Sequence, residues 1–141
     1  MISSPPLEIF TDGGSRGNPG PGASAFIVFK DKNEVFRQAF FFNKTTNNIA
    51  EYFAVLMAVL WLSKNIDIVG INAVVFKIDS ELIVNQLKGI YKIKNEKLKN
   101  IYNKINNLTN STGINISYTH IPRNLNKIAD SLVNEKMDEN L

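Results

Sequence analysis

The sequence predicts an α/β fold whose sheet mixes antiparallel and parallel strands, with the element order βββαβααβα. Three observations favour this class. The first third of the chain consists of β-rich segments separated by Gly-, Pro- and Asn-containing turns, as in an antiparallel meander. A long apolar stretch without β alternation follows, and the remainder alternates β-rich runs with helical patterns. Because 141 residues suffice for one hydrophobic core, we expect residues 1–141 to form a single domain.

The first three strands are predicted over 7–12, 22–29 and 34–42. The segment KDKN between the last two has the composition of a hairpin turn. The first two are joined within the Gly- and Pro-rich segment FTDGGSRGNPGPGA, residues 10–23, which is longer than a simple hairpin connection requires. These three strands form the predicted antiparallel meander.

A long helix is predicted over 45–65, because Thr46, Asn47 and Asn48 offer N-caps and the apolar residues do not alternate. The segment is apolar on nearly all sides, which indicates a central, buried helix. The apolar run is shorter than the roughly 20 residues that a bilayer requires, and it contains Glu51. We therefore expect no membrane span.

The β-branched run INAVVFKI, residues 71–78, indicates an interior strand. Asp79 and Ser80 directly follow this strand and are suited to cap a short helix. That helix is predicted to reach about Leu87 and to end at Gly89.

Two further helices and the fifth strand complete the predicted fold. One helix is predicted over 96–108, where the segment TNSTG follows, and INISYTHI, residues 114–121, forms the strand. The last helix follows Pro122 and carries an apolar stripe of Leu125, Ile128, Ala129, Leu132, Val133 and Met137.

The composition excludes several kinds of site. The chain has no Cys and one His, which rules out a disulfide framework and a thiolate or imidazole zinc site, so a bound metal must use carboxylates. The N-terminal segment lacks the pattern of a secretory signal, and we expect a cytoplasmic protein. The net charge is +3, and six Lys with one Glu lie between Lys88 and Lys104. This Lys-rich segment is either a solvated helix face or a surface for nucleic acid.

Four acidic residues stand where stability does not require them: Asp12, Glu51, Asp79 and Asp130. Each has a simpler explanation, respectively a turn, a capping box with Asn48, a helix cap and a solvent-facing position. Asp12 and Asp79, however, are both predicted at the carboxyl ends of strands, where α/β sheets bind ligands. Neighbouring carboxylates repel each other unless a cation lies between them, and oxygen ligands suit Mg²⁺ or Mn²⁺. Two such ions support phosphoryl transfer.

The segments around these acids, TDGGSRGNPGPGA, TTNNIAE, DSELIVNQLKG and HIPRNLNKIAD, resemble in order the active-site segments of type 1 ribonuclease H. The resemblance covers nearly the whole chain. It implies a ribonuclease H-like fold, with a five-stranded mixed sheet of three antiparallel and then parallel strands, flanked by helices. It also implies an endonuclease that hydrolyses the RNA strand of RNA–DNA hybrids and leaves 3′-hydroxyl and 5′-phosphate ends. We expect this protein to act as a monomer.

By the same resemblance, the catalytic metal ligands are Asp12, Glu51, Asp79 and Asp130. In the family they carry two Mg²⁺ ions, and Mn²⁺ is the expected substitute. Glu51 would also contact a ribose 2′-hydroxyl, the group that distinguishes RNA from DNA. His120 matches a His that assists proton transfer or product release, and the alternative is a strand-end His without function.

The resemblance also implies substrate contacts in the segments around the acids. The polar residues of TTNN serve as helix caps, as nucleic-acid contacts, or as both. Arg123 caps a helix or binds phosphate, and Asn126 lies one turn before Asp130, where it can orient that carboxylate. Some members carry Gln at the position of Glu81, whereas this chain matches a branch that reads DSEL. Some members also have a long basic protrusion where this chain has KGIYKIKNEK. The predicted substrate-binding residues are Gly13, Gly14, Ser15, Arg16, Asn18, Thr46, Asn47, Asn48, Glu81, Lys92, Lys94, Arg123 and Asn126.

Two other functions fit parts of the sequence. A related two-metal nuclease that processes DNA junctions or transposon ends would keep the acids and change the substrate. A hybrid-binding module without turnover would usually lack one of the acids, and all four are present here.

Overall fold

The computed structural model describes residues 5–70 and 72–141. In chain order its elements are β1 (Leu7–Ser15), β2 (Gly20–Lys30), β3 (Asn33–Thr45), α1 (Asn47–Val69), β4 (Ala73–Ile78), α2 (Glu81–Leu87), α3 (Glu96–Thr112), β5 (Asn115–His120), a 3₁₀ turn (Arg123–Leu125) and α4 (Lys127–Glu139). The strands form a five-stranded sheet in the order β3-β2-β1-β4-β5. β1, β2 and β3 pair antiparallel, whereas β4 pairs parallel with β1 and β5. The predicted fold class and element order are confirmed.

The KDKN segment forms the predicted hairpin turn between β2 and β3, where Lys30 pairs with Asn33. The two central residues, Asp31 and Lys32, have positive φ angles of 51° and 67°. Two consecutive residues in this region make a type I′ turn, whose twist matches that of the flanking strands.

The prediction that β1 ends at Asp12 is wrong. β1 continues to Ser15, because its antiparallel pairing with β2 extends to the pair Ser15 and Gly22. Its parallel pairing with β4 stops earlier, at Thr11 and Ile78. Beyond Thr11, one side of β1 is therefore no longer covered by a neighbouring strand.

Two helices are longer than predicted. α1 continues past residue 65 to Val69. α3 continues past Leu108 to Thr112, and Gly113, with a φ of 70°, is its C-cap. The left-handed backbone of a C-terminal Gly ends a helix more decisively than the preceding polar residues do. Of the predicted strand over 71–78, residue 71 lies outside the described residues.

The main core lies between the sheet and the helices α1 and α3. α1 crosses β1 and β2 and contacts α2, while α3 packs on its outer side. Fully buried side chains of this core include Ile9 of β1, Phe26 of β2, Phe76 of β4 and Tyr52 of α1. Because neighbours surround α1, its apolar composition on nearly all sides is explained.

α4 covers the opposite face of the sheet, mainly over β2. Its buried face consists of Ala129, Val133 and Met137, which have the i, i+4, i+8 spacing of one helix side. Val133 and Met137 pack with Ala23 and Ala25 of β2, whose small side chains let the helix lie close to the sheet.

The predicted apolar stripe of the last helix is wrong at its N-terminal end. Leu125 is 61% exposed and Ile128 is 48% exposed. Leu125 belongs to the 3₁₀ turn rather than to α4, which begins at Lys127, so it does not continue the helical periodicity. Ile128 lies beside the buried row rather than on it.

No helix within the described ranges combines the length and the apolar character needed to span a membrane.

Candidate active site

Asp12 and Asp79 are brought together by the pairing of β1 with β4. Thr11 and Ile78 are the last paired residues of these parallel strands, so the two Asp residues follow at equivalent positions. The chain then turns into α2, whose N-cap is Ser80, with its hydroxyl accepting a hydrogen bond of 3.3 Å from the main-chain N–H of Ile83. Asp79 is therefore not the helix cap, which was one of the two roles that the sequence allowed.

Glu51 lies on α1 just after its first turn, and this helix packs directly against β1. A Cβ at Gly13 would lie 2.3 Å from the carbonyl carbon of Ala50 and 2.5 Å from the nitrogen of Glu51. The buried hydroxyl of Ser24 donates to the carbonyl oxygen of Ala50 at 2.5 Å. Gly13 is thus required for this helix–strand contact, and the contact places Glu51 next to Asp12.

The N-cap of α1 is Thr46, whose hydroxyl accepts from the N–H of Ile49 at 3.2 Å. This confirms the capping role predicted for the TTNN segment. The same segment also holds the β1–β2 loop. The N–H of Asn47 donates to Oδ1 of Asn18 at 3.0 Å, and Oδ1 of Asn47 accepts from the N–H of Ser15 at 2.9 Å.

These contacts use the carbonyl oxygens of the two amide side chains. Within residues 5–70 and 72–141, neither the NH₂ group of Asn18 nor that of Asn47 has a hydrogen-bond partner. Both Asn residues are exposed. The β1–β2 loop and the first residue of α1 therefore each present an amide donor to the solvent.

The carboxylates of Asp12, Glu51 and Asp79 form a cluster that we call the acidic triad. One oxygen from each lies within 4.8 Å of the others. The fourth predicted acid, Asp130 of α4, is not part of this triad, but it lines the same cleft as Asp12, and its charge acts on the Asp12 carboxyl. The structure thus brings three of the four acids together and places the fourth beside one of them.

Burial and repulsion between neighbouring carboxylates raise the pKa values of Asp12 and Glu51. The pKa of Asp12 is raised to about 7, first by burial and then by the charge of Asp79, with a smaller contribution from Asp130. The pKa of Glu51 is raised to about 8 by burial and by the charges of Asp12 and Asp79, while Arg123 opposes the shift. The state in which all of these carboxylates are ionised is unfavourable unless a bound cation neutralises their charge.

The triad suits a hard divalent cation. Its donors are carboxylate oxygens, which Mg²⁺ and Mn²⁺ prefer, and the chain has no Cys to favour a softer metal. The excess negative charge supplies the electrostatic attraction. The residues present therefore fit a divalent-metal site.

Asn126 occupies a different place from the one predicted. Its side chain is 1% exposed, and its NH₂ group donates to the carbonyl oxygen of Thr11 at 2.9 Å and to Oδ2 of Asp79 at 3.0 Å. Its link to Asp130 is the ordinary main-chain bond of a helix turn, 3.1 Å. The side chain therefore orients Asp79 rather than Asp130, because the 3₁₀ turn packs against the ends of β1 and β4.

Arg16 forms an ion pair of 2.7 Å with Asp138 near the end of α4. Both side chains are largely exposed, at 40% and 61%. Nothing in the sequence singles out Asp138, because no local pattern relates the β1–β2 loop to the last helix. A phosphate that binds Arg16 would have to replace this carboxylate.

The predicted substrate-binding residues are distributed over three clefts. A cleft of about 430 Å³ contains Asp12, Glu51 and Asp130, together with Gly13, Gly14, Ser15, Arg16, Asn47, Asn48 and Arg123. A second cleft of about 490 Å³ joins Asn18, Thr46 and Asn48 to the first turn of α3. Lys92 lies in a third, of about 220 Å³, with Lys99, Tyr91 and Tyr102.

Five predicted residues line none of these three clefts, and two of them, Asp79 and Asn126, are described above. Lys94 is exposed in the segment between α2 and α3, and Glu81 is exposed on the first turn of α2. His120 is exposed at the end of β5 and pairs with Ile78, the residue before Asp79. His120 therefore lies on the strand adjacent to the triad, at the same end of the sheet.

Comparison with known proteins agrees with this geometry. A family model described as reverse transcriptase-like matches residues 10–136. The crystal structure of LC11-RNase H1, an enzyme isolated from compost, in complex with an RNA/DNA hybrid superimposes with a TM-score of 0.88 and 39% identity, covering 94% of this chain and 97% of that chain. The chain belongs to the type 1 ribonuclease H family.

Two full-length relatives show how far this likeness to ribonuclease H extends. The bifunctional protein Rv2228c of Mycobacterium tuberculosis is 36% identical over 136 residues, covering 94% of this chain and 35% of that protein. Ribonuclease HI of Halobacterium salinarum is 34% identical over 135 residues, covering 94% of this chain and 65% of that protein. The chain thus spans about a third of the mycobacterial relative.

Proposed function

We propose that the protein is an endonuclease that hydrolyses the RNA strand of RNA–DNA hybrids and leaves 3′-hydroxyl and 5′-phosphate ends. The observation that carries this proposal is the acidic triad, in which oxygens of Asp12, Glu51 and Asp79 lie within 4.8 Å of one another where the pairing of β1 with β4 ends. The similar LC11-RNase H1 is solved in complex with an RNA/DNA hybrid, which supports the same substrate here.

The triad, with Asp130 beside Asp12, is the proposed site for two Mg²⁺ ions, for which Mn²⁺ can substitute. When bound, such ions lower the pKa of a water nucleophile and stabilise the charge that develops on the scissile phosphate. The protein's own contribution is to hold the carboxylates in position. Glu51 is also proposed to accept a hydrogen bond from a ribose 2′-hydroxyl, which only the RNA strand offers.

The rim of the 430 Å³ cleft is suited to hold a nucleic-acid backbone. The NH₂ group of Asn47 and the guanidinium groups of Arg16 and Arg123 are hydrogen-bond donors, and phosphate and sugar oxygens are acceptors. Gly14 and Ser15 line the same cleft, and Asn18, Thr46 and Asn48 extend the surface into the 490 Å³ cleft.

The remaining predicted residues lie further from the triad. We propose that the positive charges of Lys88, Lys92 and Lys94, between α2 and α3, partly replace the longer basic protrusion of some members. His120, at the triad's end of the sheet, is proposed to assist proton transfer or product release. Glu81 lies on the first turn of α2 and follows the N-cap of that helix.

The test compares four labelled substrates of one sequence with Mg²⁺: an RNA–DNA hybrid, duplex RNA, duplex DNA and single-stranded RNA. We expect cleavage of the RNA strand in the hybrid alone, with products that a polymerase extends from their 3′-hydroxyl ends. Asp79→Asn should abolish this cleavage while the protein remains folded. Equal cleavage of duplex DNA would favour a DNA-processing enzyme, and tight hybrid binding without cleavage by the wild type would favour a binding module.

A further inference from the structure

Asn126 connects the two strands whose ends carry the triad. One hydrogen of its NH₂ group is bonded to the main chain of β1 at Thr11, the residue before Asp12. The other is bonded to Oδ2 of Asp79, the residue after β4. This occurs where the ladder between β1 and β4 has ended, at the pair Thr11 and Ile78. The amide therefore sets the position of the Asp79 carboxylate relative to the backbone that bears Asp12.

The carbonyl oxygen of the same amide, Oδ1 of Asn126, lacks a hydrogen-bond donor within the described part of the chain. This oxygen is also buried. A buried, unpaired carbonyl oxygen is a cost of about 1–3 kcal/mol, so an amide is a poor choice for stability alone at this site. An unsatisfied buried group that persists in a fold calls for a reason other than packing. The two bonds of the NH₂ group supply that reason.

We propose that Asn126 is a positioning residue for metal binding: it holds the Asp79 carboxylate in the orientation that the triad requires. This inference rests on the proposed function, since it concerns the same site. Asn126 does not touch the substrate in this role, because its side chain is 1% exposed. In this role Asn126 acts through Asp79 and not as the substrate contact that the resemblance implies.

The experiment uses two substitutions at Asn126 and one matched control. Asn126→Ala removes the amide, and Asn126→Leu removes it while keeping a side chain of similar volume. The control is Asn65→Ala, since the NH₂ group of Asn65 donates to the carbonyl oxygen of Trp61 at 2.7 Å within α1 and is part-buried. The control loses a comparable side-chain-to-main-chain bond outside the site described here.

Three quantities are measured for each protein: the dissociation constant for Mg²⁺ alone by titration calorimetry, kcat and KM on the hybrid, and the Tm without metal. Loss of a residue that orients a metal ligand lowers metal affinity or activity by about 10–100-fold. We therefore expect both Asn126 variants to lose Mg²⁺ affinity and kcat by about this factor, with little change in KM. Asn65→Ala should lower the Tm and leave Mg²⁺ binding unchanged.

A double substitution tests whether the effect passes through Asp79. In an Asp79→Asn background, Asn126→Leu should produce no further loss of Mg²⁺ affinity, because the carboxylate that it orients is already absent. Additive losses would overturn the proposal. So would wild-type Mg²⁺ affinity in the folded single variants, or unfolding of both of them, which would make Asn126 a structural residue. Failure of the wild type to bind Mg²⁺ or cleave hybrid would instead refute the proposed function.

Discussion

Substituting Gly13 by Ala tests whether close contact between α1 and β1 creates the active site. The added Cβ would lie 2.3 Å from the carbonyl carbon and 2.4 Å from the carbonyl oxygen of Ala50. These are main-chain atoms anchored by Ser24, so a side-chain rotation cannot relieve the clash. The first turn of α1 must move by about 1 Å to restore ordinary contact, and it must carry Glu51 with it.

The expected magnitudes follow from that displacement. Overpacking of a core contact costs about 1–3 kcal/mol, which for a domain of this size lowers the Tm by roughly 3–10 °C. A misplacement of about 1 Å at a catalytic group can reduce the rate about 100-fold. We therefore expect Gly13→Ala to lower both the Tm and kcat on the hybrid, as measured by calorimetry and by steady-state cleavage.

Gly14→Ala is the matched control for stability. Its Cβ would meet only Oδ1 of Asn47, at 3.8 Å, which is ordinary van der Waals contact. This variant should melt close to the wild type. If Gly13→Ala had the same Tm and the same kcat as the wild type, the contact between α1 and β1 would not position Glu51 as argued.

Three more predictions concern charge and buried hydrogen bonds. Because the pKa of Asp12 is raised to about 7, the folded protein binds this proton more tightly than the unfolded chain, and without metal its stability falls as the pH rises from about 4 to 7. Asp12→Asn should therefore raise the Tm in EDTA at pH 8 and weaken the dependence of Tm on pH. An unchanged dependence of Tm on pH would contradict the raised pKa of Asp12. Asp138→Asn removes the exposed ion pair with Arg16, which contributes up to about 1 kcal/mol, so the guanidinium no longer has to leave a carboxylate to bind phosphate. The dissociation constant for the hybrid, measured by fluorescence anisotropy in EDTA, should fall by at most about fivefold. Weaker binding would contradict a phosphate-binding role for Arg16. Tyr52→Phe removes the buried hydrogen bond of 2.5 Å from the Tyr52 hydroxyl to Oε1 of Gln86 and should lower the free energy of unfolding, measured in urea, by about 1–2 kcal/mol. An unchanged free energy of unfolding would mean that Oε1 of Gln86 finds a water molecule in place of the tyrosine hydroxyl.

The errors of the sequence analysis share a physical cause. Asp12 was expected to end β1, but pairing with β2 on one side continues after pairing with β4 on the other has stopped. A strand can thus lose its neighbour on one side and keep pairing on the other, and no local sequence pattern predicts this. Likewise, the spacing of Asn126 and Asp130 suggested a contact within one helix, whereas the amide bonds to Asp79, 47 residues away in the sequence.

Interactions of short range were readable from the sequence alone. The KDKN turn and the N-cap Thr46 depend on the backbone of their own segment, so residue type and spacing predict them. The apolar run of α1 is likewise visible as a continuous stretch of sequence. The motifs around Asp12, Glu51, Asp79 and Asp130 likewise identified the four acids and the family.

Only the tertiary structure decided how these parts meet. It places oxygens of three acids within 4.8 Å of one another and Asp130 beside Asp12. It also pairs Arg16 with Asp138 and bonds the amide of Asn126 to Asp79. Each of these contacts joins elements far apart in the chain, and its geometry depends on strand register and on how closely a helix approaches the sheet. Those distances come from packing the whole core, which no single segment of the sequence contains.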